Sequence, residues 1–183
     1  AFAYRGGPLG EPRDFSMSAL VVEHPKGWLL IDSGFGRDVD AHFKTTPALM
    51  QATSKYEKHV PAGEQLKTAG VDPHQLMGVV LTHAHWDHVS GLPDLAGAPV
   101  WVTQAERDFI DGGEPMTALV RSFGALPYKV YDFPNGPYLG FEHSYDVYGD
   151  GSVVLVPAPG HTPGSIVAFV ATPDGKRYAF VGD

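Results

Sequence analysis

Three of the chain's nine histidines fall within six residues, in the run His83-Ala84-His85-Trp86-Asp87-His88. The run directly follows Gly78–Thr82, a short continuous apolar stretch that reads as a buried strand. Thr82–His85 is then the loop leaving the end of that strand. In a nearly extended segment residues two apart point the same way, so His83 and His85 can present their imidazoles to one point. A helix starting near Asp87 would project Asp87 and His88 from its first turn toward a neighbouring point, where the helix dipole favours a carboxylate. This spacing suits two ions side by side better than one. Imidazole and carboxylate donors without thiolates fit zinc, with manganese, iron or cobalt as alternatives.

Around this run the sequence predicts a mixed α and β chain in which strands dominate. Ala1–Phe15, rich in Gly, Pro and Arg, reads as an irregular arm. Ser18–Glu23 and Trp28–Ile31 read as strands joined by the turn His24-Pro25-Lys26-Gly27, and Asp32–Gly36 as the loop that follows. Thr46–Ala69 mixes helix-compatible stretches with a loop near His59–Gly63, and a short helix over Gly63–Ala69 stops at Gly70. Val100–Thr103 is a strand and Gln104–Ile110 begins a helix. Residues 111–150 are Gly-, Pro- and Tyr-rich with poor periodicity, which predicts long loops able to shape a pocket. Val153–Val156, Ser165–Ala171 and Arg177–Val181 finish as strands, with a turn at Pro173–Lys176. The length, 183 residues, suggests a single domain over 1–183, and no internal repeat or low-complexity linker interrupts it.

Composition excludes several chemistries. There are no cysteines, so disulfides, thiolate metal sites and cysteine nucleophiles are ruled out, while the compartment, cytoplasmic or periplasmic and secreted, stays open. The net charge of −8 and the scattered lysines and arginines argue against a nucleic-acid partner, which is usually met by a basic stripe. No apolar run approaches the ~18–20 residues needed to span a bilayer. No Gly-x-Ser-x-Gly elbow is present. Oligomeric state is not legible.

The segment Thr82-His83-Ala84-His85-Trp86-Asp87-His88-Val89-Ser90-Gly91 resembles the signature of the metallo-β-lactamase superfamily. Three further segments agree in order: Leu29-Leu30-Ile31-Asp32-Ser33-Gly34, Pro157-Ala158-Pro159-Gly160-His161-Thr162-Pro163-Gly164-Ser165, and Phe180-Val181-Gly182-Asp183. The resemblance implies an α+β fold, the four-layer αββα sandwich, apparently truncated at the C-terminus, with its metals at the sheet ends where the loops gather. It implies that His83, His85 and His161 bind one metal, that Asp87 and His88 bind the second, and that Asp183 bridges them. Asp32 would orient a liganding histidine, or be a plain turn aspartate. The family expects a further histidine beyond the bridging aspartate, and so beyond residue 183.

The implied function is that of a metal-dependent hydrolase in which a hydroxide shared by two zinc ions attacks an ester or lactone, with Asp87 accepting or relaying a proton. The second motif, with Tyr148-Gly149-Asp150-Gly151-Ser152 upstream, is similar to that of acyl-homoserine lactonases, although those commonly carry histidine where this chain has Ser165. The partner is therefore expected to be a small ester- or lactone-like molecule. Trp86, Phe109, Tyr128, Tyr138 and Tyr145 would suit an apolar acyl group, or belong to ordinary core packing. Glyoxalase II-type thioester hydrolysis, organophosphate hydrolysis and β-lactam hydrolysis are the alternatives, and a non-catalytic metal-binding module is the alternative of another class.

Overall fold

The structure is a computed structural model and describes residues 13–95 and 97–183, so most of the expected N-terminal arm lies outside the described residues. Among the described residues nine strands form two sheets. The first contains β1 (Leu20–Val22), β2 (Trp28–Ile31), β3 (Leu76–Val80), β4 (Val100–Thr103) and β5 (Tyr128–Tyr131), side by side in chain order. β1 pairs antiparallel to β2 through the turn predicted at His24–Gly27, where the Gly27 N–H donates to the His24 carbonyl at 2.9 Å. From β2 onward the pairing is parallel, which requires crossover connections. The second sheet, β6 (Tyr145–Asp146), β7 (Val153–Pro157), β8 (Ile166–Ala171) and β9 (Arg177–Phe180), is antiparallel throughout.

The period-2 alternation of the strands sets the layers. Leu30, Val79, Leu81, Val100 and Val102 face a helical layer and pack with Leu66, Trp86, Val89, Leu95, Ile110 and Val120. Their neighbours Leu29, Ile31, Val80 and Trp101 point the other way, against Val153, Leu155, Ile166, Ala168 and Val170 of the second sheet. The outer face of that sheet carries Val154, Val156 and Val167, covered in part by Tyr138 and Phe141 from the loop before β6. The helical layer comprises α1 (Val39–Phe43), α2 (Ala48–Thr53), α3 (Ala62–Thr68), α4 (Trp86–Val89), α5 (Gln104–Asp111) and α6 (Ala118–Ser122). The layering follows the sandwich that the resemblance implies, with a helical layer and two facing sheets, while among the described residues no helix covers the outer face of the second sheet.

The stretch 111–150 is less loop-like than its composition predicts, since it contains α6, β5 and β6. β5 is an edge strand of only four residues whose middle is exposed, so it pairs without leaving an apolar run in the sequence. The remaining strands fall within a residue or two of their expected positions, and β3 begins earlier, at Leu76.

Candidate metal centre

The C-terminal ends of the parallel strands and one end of the second sheet meet, as expected for a ligand crevice in such a sheet. β2 runs into Asp32, β3 into Thr82–His85, β7 into the turn carrying His161, and β9 into Asp183. The buried rings of His83 and His85 lie 4.6 Å apart between centroids, and the His161 ring is 4.6 Å from each of them. One nitrogen of each of these three imidazoles falls within 4.8 Å of the others. A second group, within the same distance, consists of His83, His88 and Asp183. His88 Nε2 is 3.2 Å from Asp183 Oδ1, and His161 Nε2 is 3.5 Å from Asp183 Oδ2. His88 and Asp183, 95 positions apart in the chain, thus meet across the crevice. Asp87 sits in the first turn of α4, with Oδ2 3.9 Å from His88 Nε2, and falls outside both groups.

Asp32 lies beneath His88. Its Oδ1 accepts the Thr82 N–H at 2.7 Å, and its Oδ2 accepts the Thr82 hydroxyl at 2.8 Å and faces His88 Nδ1 at 2.8 Å. Asp32 adopts a left-handed φ of 55°, which aspartate tolerates better than most residues and which turns the side chain back under the loop. With Nδ1–H donated to Asp32, the proton His88 gives up on binding an ion is the one on Nε2, which frees that lone pair on the Asp183 side. Gly182 is also left-handed, at φ 67°, and a Cβ there would come within 2.8 Å of the Thr82 hydroxyl; only a glycine lets Asp183 approach this closely.

Burial, helped by His88 and His85, pushes the His83 imidazole down to about 2, and burial with His161 brings His85 down to about 4. Both rings are therefore neutral near pH 7, the state in which imidazole binds metal. His88 behaves in the opposite way. Burial opposes its charge, but hydrogen bonds to Asp183 and Asp32 outweigh burial and raise it to about 10. The hydrogen bond with His88 holds the Asp183 carboxyl down, to about 2, whereas burial pushes Asp87 up.

The donor set fits a metal. His83 Nε2 is buried with no hydrogen-bond partner among the described residues, which is costly unless something else satisfies it. His161 Nε2 and His85 Nδ1 stand 2.9 Å apart, two nitrogens turned on one point. All donors are imidazole or carboxylate, which suits zinc and its borderline neighbours.

Of the five aromatic residues expected near the site, Phe109 meets a site histidine, with its ring 6.3 Å from that of His85. Trp86 is enclosed by Phe35, Phe43 and Tyr56 in the helical layer, Tyr145 stacks on Trp101 between the sheets, and Tyr138 packs on Phe169. Tyr128 lies under the Arg107 guanidinium. Core packing accounts for these four. Sequence reasoning missed Glu106, a fully buried carboxylate whose oxygens accept from Ala84, Thr162 and Gly164. The available signal was Thr103-x-x-Glu106 at the start of a predicted helix, a pattern that ordinarily denotes a capping box.

The profile of the metallo-beta-lactamase superfamily matches residues 12–183. The chain is 32% identical over 174 residues to the probable metallo-hydrolase Rv2300c of Mycobacterium tuberculosis, covering 87% of this chain and 53% of that protein. It is 27% identical over 177 residues to the N-acyl homoserine lactonase AttM of Agrobacterium fabrum, covering 91% of this chain and 64% of that protein. Among solved structures it superposes with a TM-score of 0.58 on AidC, a dizinc quorum-quenching lactonase in complex with the product N-hexanoyl-L-homoserine, at 18% identity over 89% of this chain and 54% of that one. The fold, the ordered motifs and the profile together define the class: this chain belongs to the metallo-β-lactamase superfamily. It spans little more than half the length of these relatives.

Proposed function

We propose that the protein is a metal-dependent hydrolase that opens a lactone of the acyl-homoserine type. In this reading His83, His85 and His161 would hold one divalent ion, zinc in the first instance, and His88, Asp183 and Asp87 would hold a second. The observation that carries it is the convergence of two groups of ligand atoms that share the buried His83, one with His85 and His161 and the other with His88 and Asp183; Asp87 joins the second by resemblance and by its place beside His88. Bound divalent ions would supply Lewis acidity and bring the pKa of a coordinated water toward ~7.

The remaining work falls to the chain's own side chains. Asp32 fixes the tautomer of His88 by accepting from Nδ1. Asp87, whose carboxyl is pushed up by burial, takes or relays the proton at its Oδ atoms. The Phe109 ring beside His85 gives the crevice an apolar wall suited to an acyl group. The named activity of AttM and the product bound to AidC support a lactone in preference to the thioester, phosphotriester and β-lactam alternatives. No helix among the described residues is long and apolar enough to cross a membrane, and a small-molecule substrate is proposed as the partner.

The test is metal content and turnover of the protein on a panel of acyl-homoserine lactones, thioesters, phosphotriesters and β-lactams. Two zinc ions per chain with lactone opening fastest supports the reading. Fastest turnover of another substrate class reassigns the specificity, and two bound ions without turnover points to a non-catalytic metal-binding module.

A further inference from the structure

We infer that Glu106 is a positioning residue, setting the distance between the His83–His85 loop and the His161 turn and so the geometry in which three imidazoles receive one divalent ion. The inference rests on the metal-centre reading above. Glu106 is the third residue of α5, and its backbone N–H donates to the Thr103 hydroxyl at 3.1 Å, which is half of a capping box. The other half is absent. The carboxylate does not turn back to the start of its own helix but runs inward, where it is 1% exposed. Oε1 accepts the Ala84 N–H, between the two histidines of the loop, at 2.6 Å. Oε2 accepts the Thr162 hydroxyl at 2.6 Å and the Gly164 N–H at 3.1 Å, both within three residues of His161.

The contacts around this carboxylate are directional. The Ser165 and Thr162 hydroxyls are 2.8 Å apart, and with Thr162 donating to Glu106 the Ser165 hydroxyl donates to Thr162 while accepting the Thr162 N–H at 3.0 Å. Ser165 is thereby part of the same brace. The turn is seated directly on the helix: a Cβ at Gly164 would fall 2.2 Å from the Glu106 backbone nitrogen. Every partner of the carboxylate is a donor, and a carboxylate accepts only. An apolar side chain of similar size would avoid the cost of burying a charge and would fill the same space. What it could not do is hold two separate loops at a fixed spacing through oriented hydrogen bonds. Burial pushes the Glu106 carboxyl up, and the hydrogen bonds from Thr162, Ala84 and Gly164 work against that.

Glu106→Gln preserves size but places an amide N–H against a backbone N–H whichever way the amide turns. The experiment measures zinc affinity of the full chain by competition with a chromophoric chelator, alongside far-UV circular dichroism and the thermal midpoint after chelator treatment. The expected result is a roughly ten- to hundred-fold weaker first zinc site in folded Glu106→Gln, the range seen when residues supporting metal ligands are altered. Thr162→Val should weaken the site several-fold and Thr162→Ser should restore it, and this pair decides the matter if Glu106→Gln does not fold. Unchanged affinity in folded Glu106→Gln or in Thr162→Val overturns the inference, as does a lowered thermal midpoint with wild-type affinity, which would make Glu106 a strut only. A wild-type chain that binds no zinc removes the metal-centre reading itself and the inference with it; a wild-type chain that binds two while Glu106→Gln binds them equally well removes the inference alone.

Discussion

Asp32→Asn separates the two tasks assigned to this carboxylate, stabilising the loop and setting the His88 tautomer. The wild-type side chain takes hydrogen bonds from the Thr82 N–H at 2.7 Å, the Thr82 hydroxyl at 2.8 Å and His88 Nδ1 at 2.8 Å, all buried. Hydrogen bonds to a charged partner contribute about 1.5–3 kcal/mol and neutral ones about 0.5–1.5, so neutralising the acceptor costs about 1 kcal/mol per bond, roughly 3 kcal/mol in all. The consequence for the metal centre is sharper. The Thr82 N–H can only donate, so the asparagine oxygen stays with it and the amide N–H₂ faces His88. His88 then accepts at Nδ1 and carries its proton on Nε2, the nitrogen directed at Asp183, where it cannot bind an ion. The expected outcome is a folded protein, about 3 kcal/mol less stable in urea by the same reckoning, that retains one zinc ion by elemental analysis and loses the second along with most lactone turnover. Asp32→Asn that keeps two ions and wild-type activity would refute the tautomer argument.

Gly164→Ala drives a Cβ to within 2.2 Å of Glu106 N and 2.5 Å of its Cα, atoms that cannot rotate away; thermal unfolding should show a loss of about 1–3 kcal/mol, the usual cost of overpacking. His161→Ala removes a side chain that is 39% exposed, so it should abolish activity and the first zinc site while changing the urea midpoint little. Chelator-treated protein should lose stability as pH falls. His83 is held down to about 2, His85 to about 4 and His42 is also lowered, by burial in each case, while His88, raised to about 10, works the other way and offsets one of the three in part. The unfolded chain, with imidazoles near ~6.5, therefore binds more protons, and the stabilisation present above pH ~6.5 is lost as pH drops toward 4. Urea midpoints at pH 7.5 and 5 check this, and a higher midpoint at pH 5 would reverse the sign. Leu155→Ala, in the fully buried contact between the sheets, should cost about 2–5 kcal/mol by urea unfolding without altering zinc stoichiometry.

The sequence made the centre legible wherever geometry is local. His83 and His85 follow a buried strand two residues apart, and their rings do turn to one point. The turn carrying His161 and the strand ending in Asp183 could be assigned only by resemblance, because nothing local in either segment says which distant loop it will face. The continuous apolar runs of β2, β3, β4 and β7 made the strands themselves legible, since each is buried on both faces by different partners, whereas their layering was expected only from the resemblance. β5 and β6 escaped because short edge strands need little apolar sequence. Glu106 escaped for a related reason: its three partners come from loops 22, 56 and 58 residues away, and its local pattern is that of a helix cap. The aromatic residues stayed open between the two readings because size and apolarity look alike in a sequence whether a ring lines a crevice or fills a core.

The most direct measurement is anomalous diffraction at the zinc edge from crystals of the protein grown with zinc. The account requires two peaks per chain about 3.5–4 Å apart, one against His83, His85 and His161 and the other against His88 and Asp183. A single peak elsewhere on the molecule, or none in this crevice, would contradict it.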